Sequence, residues 1–469
     1  MEVNYQLKVR SKQFLADTFT PVAAYLKLRD RFANTLLLES SDYHGEENSF
    51  SYICCKPKAT FESTNGKVTI TMPGENPQPV DKQPLEALKE FRSAFSHVKE
   101  QKSHIETGLF GYISYDGVQH FEEIELKESG ENIPVIPEIK YSVYNYIIAF
   151  DHFRNQCHVI ETYVDQVDDG EFNEIIDILH KQTSPQFDFQ TVGETQSDFT
   201  DEEFLEKVKV GIHNCDIGEV FQVVFSRRFY KEFQGDEFQV YRALRSINPS
   251  PYLFYFDYGS YKIFGSSPEA QIVINPKEAI IYPIAGTFRR TGDDLADADL
   301  AKKLLNDPKE NSEHIMLVDL ARNDLSKFTS EVKVETYKEI QFYSHVIHLV
   351  SKVTGQLNEN TDLMDVVAST FPAGTLSGAP KFRAMELIDE NEKSSRGYYG
   401  GAIGFMDFEG TFNHAIMIRT FLSESNTLHY RAGAGIVAKS DPKSEVQEVY
   451  NKLAALETAL TTAEKHSAQ

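Results

Sequence analysis

Two pairs of glutamates stand where helices could turn them into a cation-binding face. Asp307-Pro308-Lys309-Glu310 reads as an N-cap, a first-turn proline and a capping acid, with Glu313 three residues further on. Asp441-Pro442 opens a second helix in the same way, and that helix carries Glu445 and Glu448. A spacing of three puts each pair on one helical face, within the first two turns. The dipole of a helix stabilises acids at its start whatever else they do. If the two helix starts converge, the same carboxylates suit Mg²⁺, which takes one or two carboxylates together with water and substrate oxygens. A third feature is FPAGTLSGAPK (371–381), a Gly/Ser/Thr loop leading into a helix with Phe382, Met385, Leu387 and Ile388 at near-helical spacing. A helix that starts out of such a loop leaves N–H groups free at its positive end, a ready anion site. Pro380 suits its first turn, where a missing N–H costs nothing.

Composition narrows the chemistry. The 469 residues are 41% hydrophobic, enough for a large core. At roughly 100–200 residues per domain, the chain has room for two to four domains. Its 47 basic and 71 acidic residues leave a net charge of −24, and no Lys/Arg-rich stripe stands out. That argues against a nucleic-acid partner and against an anionic membrane. An anionic substrate would need a local basic pocket or a metal ion to offset this field. The four cysteines, at 54, 55, 157 and 215, form no CxxC pair. They fit a reducing cytosol and speak against a disulfide scaffold or a zinc site. The N-terminus lacks the apolar run of a signal peptide, and nothing approaches 18 apolar residues in a row. A soluble, cytoplasmic protein is expected.

The elements that must position these residues are strand-rich at first. SFSYIC (49–54), KVTITM (67–72), GLFGYISY (108–115) and YSVYNYIIAF (141–150) have hairpin-like spacing, which predicts antiparallel sheet. Residues 84–98 read as a helix, and between 183 and 197 the periodicity fades into polar sequence. That stretch reads as a linker between an N-terminal region, 1–190, and a second region, 191–469. The second region opens on a capping box, Thr200 and Glu203, with Phe204, Val208 and Ile212 on one face. Further on, YRALRSI is a helix stopped by Asn248-Pro249, YLFYFDYG and YKIFGSS form a hairpin, and 279–287 is a strand ending in a glycine turn. Residues 307–324 form a strong helix, 346–355 a strand, and a last helix runs from 442 to about 465. The class is α+β.

Assembled, these segments resemble a known family along nearly the whole chain. LLLES (36–40), GEVFQVVFSRRF (218–229), NPSPYLFYF (248–256), GSSPEA (265–270), YPIAGT (282–287) and SEHIMLVDLARNDLSK (312–327) are similar to the chorismate-utilising enzymes. So are HVIHLVS (345–351), FPAGTLSGAPK (371–381), YYGGAIGF (398–405), AIMIRT (415–420), RAGAGIVAKSDP (431–442) and EVQEVYNK (445–452). The branch they resemble most is anthranilate synthase component I. The resemblance implies large antiparallel sheets in a two-layer sandwich flanked by helices, with the active site in a cleft of the C-terminal part. It also implies a lyase reaction: ammonia adds at C2 of chorismate as the C4 hydroxyl leaves, and pyruvate is then eliminated to give anthranilate, the first step of tryptophan biosynthesis.

The family pattern assigns roles to positions of this chain. Glu313 and Glu448 would stand nearest Mg²⁺, with Glu310 and Glu445 supporting through water. The ring carboxylate would meet the ion, the backbone of Gly433 and Gly435, and Lys452. Ala432, Ala434, Gly286, Thr287 and Gln222 fall in the substrate-binding segments. Tyr399 and Arg419 would bind the enolpyruvyl carboxylate, for which arginine's two-pronged fork is suited. Glu269 would be the general acid for the departing hydroxyl, a task that needs a raised pKa. His348 and Thr375 match catalytic positions, His348 either at the leaving hydroxyl or at the elimination step. Outside the motif, a histidine on an apolar strand is an ordinary core residue. Glu39, Ser40, Pro249, Tyr252 and Leu253 match the family's binding site for the feedback inhibitor L-tryptophan.

Two positions bear on which reaction is run. Relatives that add water carry a lysine base where this chain has Gln222, and a neutral amide cannot serve as that base. The 4-amino relatives carry a nucleophilic lysine where this chain has Ala285. Phe288-Arg289-Arg290 departs from the family's common arginine-proline-arginine. None of the cysteines has the glycine-flanked elbow of a glutamine amidotransferase, so glutamine would be used only through a separate amidotransferase subunit and free ammonia directly. One rival reading stays open, an enzyme that aminates at C2 but keeps the pyruvate. A non-catalytic tryptophan sensor with the same fold is disfavoured, because it has no need of Glu269, His348, Glu313, Glu448, Tyr399 and Arg419 together.

Overall fold

The computed structural model describes residues 5–40, 49–97, 104–127, 133–165, 167, 169–181, 186–342, 346–358 and 361–467, without the side chains of Thr287, Lys309 and Ser467. Two large antiparallel sheets share a pair of long strands, Phe50–Thr64 and Ile139–Asp151. The N-terminal end of Phe50–Thr64 continues into the first sheet through Leu36–Glu39, Tyr252–Asp257, Tyr261–Ser267, Thr420–Glu424, Thr427–Ile436 and Gln222–Gly235. The N-terminal end of Ile139–Asp151 continues into the second through Leu109–Ile113, Ala402–Met406, Phe412–Ile416 and Ala270–Ile274, and on to Val346–Leu357. The shared strand Phe50–Thr64 carries a bulge between Pro57 and Ala59, beside Lys56 at φ 60°, where it passes from one sheet to the other.

The sequence explains why both sheet faces are dry. In Tyr252–Asp257 successive side chains point to opposite faces. Phe254 and Phe256 enter a cluster with Phe110, Ile403 and Ile416 of the other sheet, while Tyr255 and Leu253 face outward to a cluster with helices. A strand buried on both sides reads as unbroken aromatic and apolar sequence. Helices cover the outer faces. Along Pro442–Ser467, Val449, Leu453, Leu456 and Leu460 pack with Val223, Phe225 and Ala434. Each such fully buried side chain contributes about 1.5–3 kcal/mol. On Pro308–Ser326, Val318, Ala321 and Leu325 pack in the second sheet's outer cluster. These apolar stripes fix which way Glu313, Glu448 and Lys452 turn. The α+β class, the antiparallel sheets and the Thr200–Glu203 capping box are as the sequence led one to expect.

Four local readings change. Within the supposed linker, whose residues 183–185 lie outside the description, Phe189–Ser197 is a strand paired with Gln222–Gly235. Its side chains are mostly exposed on both faces and a bulge falls between Val192 and Gln196, so no period of two survives. The single strand expected over 279–287 breaks at Tyr282-Pro283 into Glu278–Ile281 and Ile284–Arg289, since proline has no N–H for the ladder. The helix expected over 84–98 stops at Ser93, and Phe95–His97 pairs in parallel with Tyr5–Leu7. Pro380 is the N-cap of Lys381–Asn391 rather than a first-turn residue. In Phe288-Arg289-Arg290 the third residue keeps the arginine of the common pattern, and it anchors the turn. Arg290 Nε donates to Asp297 at 2.8 Å and Thr291 N–H at 2.7 Å, which ties the turn to the buried Asp297 of the next helix.

Candidate active site

Two glycines open the first sheet's ladder at the centre of the site. In the pairing of Thr427–Ile436 with Gln222–Gly235, Gly433 faces Ser226 and Gly435 faces Val224. A Cβ on Gly433 would stand 2.7 Å from the Phe225 carbonyl, and one on Gly435 2.6 Å from Gln222 Nε2. Ala432 and Ala434, between and before them, turn into the helix-side core. Lys452 Nζ donates to the Gly433 carbonyl at 2.9 Å and lies 3.5 Å from Glu448. From the other side, Gln222 Nε2 donates to Glu313 Oε1 at 3.2 Å, and that oxygen is 4.0 Å from the Cβ position of Gly435. The two helices therefore bring Glu313 and Glu448 to the same pair of glycines.

This arrangement bears on a divalent cation. Among the described residues no three His, Cys, Asp or Glu side chains gather as a metal site. Glu445 is buried one turn before Glu448, and Glu310 lies against Gly286, with Oε2 3.1 Å from where a Cβ would be. Glu313 beside Gly435 and Glu448 beside Lys452 are the carboxylates that could hold such an ion, which completes its shell with water and substrate oxygens.

Glu269 lies beneath the site with partial access to solvent. The Thr375 hydroxyl, on the short helix Gly374–Ser377, donates to its Oε1 at 3.0 Å. Burial pushes its pKa up to about 7, against the lowering pull of that hydrogen bond and of Lys452 and Arg419. Tyr399 is buried, its pKa pushed up to about 12 by burial, and its hydroxyl has the Gly433 backbone as a hydrogen-bond partner. Arg419 takes the unusual φ of 49°, and its Nη1 donates to Asn248 Oδ1 at 3.2 Å.

His348 projects from Val346–Leu357 opposite Thr287 in the paired strand Ile284–Arg289; the Thr287 side chain lies outside the described residues. Burial holds the imidazole below its ordinary pKa, so it is neutral near pH 7. With Nδ1 3.0 Å from the Gly286 carbonyl, the ring carries its proton on Nδ1 and presents Nε2 as an acceptor. Gly286 has φ 72°, and a Cβ there would strike Leu304 at 2.7 Å, so glycine is required.

The second candidate cluster lies where the N-terminal strand Leu36–Glu39 joins Tyr252–Asp257, with Glu39 opposite Leu253. Glu39 Oε2 accepts from Tyr241 Oη at 2.6 Å and Arg245 Nε at 3.0 Å. Ser40 and Tyr252 are half-buried and Pro249 is exposed on the neighbouring loop. Sequence reasoning missed Tyr241 and Arg245, which sit one turn apart on Phe238–Ile247 and look like ordinary helix residues. It also missed Asn248 as the partner of Arg419, since an Asn-Pro pair reads first as a helix stop.

A model of the family described as chorismate binding enzyme matches residues 34–458. The chain is 36% identical over 481 residues to anthranilate synthase component 1 of Aquifex aeolicus (strain VF5), covering 98% of this chain and 96% of that protein. It is 37% identical over 459 residues to the protein of the same name from Thermus thermophilus, covering 97% and 98%. The crystal structure of anthranilate synthase component I from Streptococcus pneumoniae TIGR4 is similar with a TM-score of 0.77 at 32% identity, over 95% of this chain and 100% of that one.

Proposed function

The chain belongs to the chorismate-binding enzymes, in their anthranilate synthase component 1 group, and we propose that its cleft aminates chorismate at C2 and then releases pyruvate. The observation that carries this is Glu269, a carboxyl beside Thr375 and between the fields of Lys452 and Arg419 whose pKa is raised to about 7, so that a large share of it is protonated at neutral pH. Such a group donates its proton to the C4 hydroxyl as water leaves, while ammonia forms the new bond at C2. Loss of the C2 proton and of the enolpyruvyl group as pyruvate then gives the aromatic ring, so chorismate and ammonia yield anthranilate, pyruvate and water.

The substrate's two carboxylates divide between two sets of groups. Lys452 and the backbone of Gly433 and Gly435 hold the ring carboxylate; Arg419 and Tyr399 hold the other. Glu313 and Glu448 would hold Mg²⁺, which when bound neutralises the ring carboxylate in an acidic protein. Neutral His348 offers Nε2 as a hydrogen-bond acceptor or base facing the substrate. Gln222 in place of a lysine base favours ammonia over water as nucleophile, and Ala285 supplies no covalent nucleophile.

Ammonia is used free or delivered by a glutamine amidotransferase subunit. Supporting this, Cys54, Cys55 and Cys157 are buried, and burial raises the thiol pKa of all four cysteines, so none is an activated nucleophile. No helix among the described residues is long and apolar enough to cross a membrane, which together with the free thiols supports a cytoplasmic location. L-tryptophan would bind at Glu39, Ser40, Pro249, Tyr252 and Leu253 as feedback inhibitor. Residues 1–190 then contribute to the inhibitor site and residues 191–469 form the chorismate site.

The test is direct. Purified protein with chorismate, ammonium and Mg²⁺ is followed by anthranilate fluorescence, which no tryptophan of the chain masks, since it has none. Equal anthranilate and pyruvate are expected. Chorismate loss without pyruvate would instead identify an enzyme that stops at the aminated intermediate, and no consumption by folded protein would identify a sensor.

A further inference from the structure

Behind the cleft, one buried carboxylate joins the segments that carry its substrate groups. Glu392 caps the C-terminus of Lys381–Asn391 and is 4% exposed. Its Oε1 accepts from Ser226 N–H at 2.7 Å, Ser226 Oγ at 3.0 Å and Arg396 Nη2 at 2.6 Å. Its Oε2 accepts from Arg396 Nε at 3.1 Å and Arg431 Nη1 at 3.0 Å. The arginines extend the reach. Arg396 Nη1 donates to the Leu376 carbonyl, next to Thr375, and Nη2 to the Val224 carbonyl, each at 2.6 Å. The Arg396 carbonyl accepts from Tyr399 N–H at 3.1 Å. Arg431, two residues before Gly433, donates to Ser394 Oγ and, at 2.8 Å, to the Ser395 carbonyl.

We infer that Arg396, clamped by Glu392 alongside Arg431, is a positioning residue that holds Thr375, Tyr399 and Gly433 in mutual register and so aims Glu269 at the departing hydroxyl. Arg396 and Arg431 are each 3% exposed and none of the three charged residues is placed to touch substrate. Stability alone does not account for the cluster, because apolar residues of similar volume often replace buried ion groups without loss. What apolar residues lack is directed bonds to the Leu376 and Val224 carbonyls and to Ser226. A lysine lacks them too, since its single ammonium cannot span the planar fork's acceptors. The hydrogen bond from Thr375 lowers the pKa of Glu269, and Lys452 and Arg419 are the charged groups that also act on it. A slackened Thr375 therefore raises that pKa.

The inference rests on the cleft being an amination site, so its test includes a readout that does not depend on turnover. Arg396→Lys and the milder Ser226→Ala are compared with wild type and with Arg29→Lys, at a partly buried ion pair with Asp236 that is separate from the Glu392 cluster. Thermal melts establish folding; kcat, KM for chorismate, the pH profile of kcat and amide hydrogen exchange are then measured. In Arg396→Lys, kcat is expected to fall about 10–100-fold, as an ångström-scale misplacement produces, with a smaller rise in KM as Tyr399 and Gly433 shift. The basic limb of kcat moves to higher pH, and exchange quickens over 373–379 and 397–401. Ser226→Ala shifts each readout in the same direction by less, and Arg29→Lys leaves them unchanged. A folded Arg396→Lys with kcat within about two-fold of wild type, or with unchanged exchange over 373–379, overturns the inference. Should Arg396→Lys not fold, Ser226→Ala decides by the same measures. An inactive wild type overturns the functional assignment instead, and the exchange data still decide the positioning role.

Discussion

Arg419 and Asn248 are joined by a hydrogen bond of 3.2 Å across 171 residues of sequence, linking a guanidinium of the candidate site to the loop that follows the helix Phe238–Ile247. Asn248 also bonds, through its carbonyl, to Ser266, three residues before Glu269. A ligand that moves this loop must then shift Arg419. In the Asn248→Ala variant, tryptophan inhibition is expected to weaken about five-fold or more, the lower end of ordinary coupling energies. KM for chorismate should rise as Arg419 loses its anchor. An unchanged inhibition curve would show that the coupling runs elsewhere.

As the proposed general acid Glu269 would act in its protonated form, so kcat should decline as pH rises through about 7. Glu269→Gln should cost about 10²–10⁴-fold in kcat and abolish that limb. On stability the same substitution should act in the opposite sense at high pH. A carboxyl whose pKa is 4.5 unfolded and about 7 folded contributes stability that is fully present below 4.5 and lost as pH rises through 7. Melting at pH 8 should therefore favour Glu269→Gln over wild type, and a variant that melts lower there would contradict the burial argument.

Chelation with EDTA should abolish anthranilate formation, and added Mg²⁺ restore it. Glu448→Gln should raise the Mg²⁺ concentration needed for half-maximal rate by about 10-fold or more, about 1.4 kcal/mol of binding. Asp319→Asn, on an exposed ion pair with Arg322, should leave it unchanged. A metal response identical in the three proteins would remove Glu448 from the ion's surroundings.

Gly433→Ala places a methyl 2.7 Å from a backbone carbonyl that cannot yield. A loss of about 1–3 kcal/mol in unfolding free energy is expected from the overpacking. Gly435→Ala meets the end of the Gln222 side chain instead, so it should spare stability and lower kcat/KM. Urea titration beside steady-state kinetics separates the two.

Much of this was legible in the chain. The Thr200–Glu203 capping box is local chemistry and needs no partner, and the aromatic run at 252–257 announces a strand covered on both faces. Motif resemblance named Glu269 and Thr375, yet nothing in GSSPEA or in the 371–381 loop shows that a hydrogen bond joins them 106 residues apart. The raised pKa comes from enclosure by segments distant in sequence, and no local pattern encodes it. Nothing in the sequence singles out Glu392 and Arg396: an i, i+4 acid–base pair usually lies on a solvated helix face, whereas here the helix has ended at Asn391 and both are buried. The strand Phe189–Ser197 escaped because its exposed faces erase the alternation that marks strands.

The placement of Leu36–Glu39 between Phe50–Thr64 and Tyr252–Asp257 has a consequence for synthesis. The first sheet cannot close until Thr420–Glu424 and Thr427–Ile436 have been made, and its outer face stays bare until Pro442–Ser467 follows. A chain emerging from the ribosome must carry Leu36–Glu39 as an apolar strand with one unmatched edge while some two hundred further residues are translated. Long-range pairing of this kind is slow and exposed to aggregation. The unmatched edge of Leu36–Glu39 is therefore where a nascent chain most needs covering.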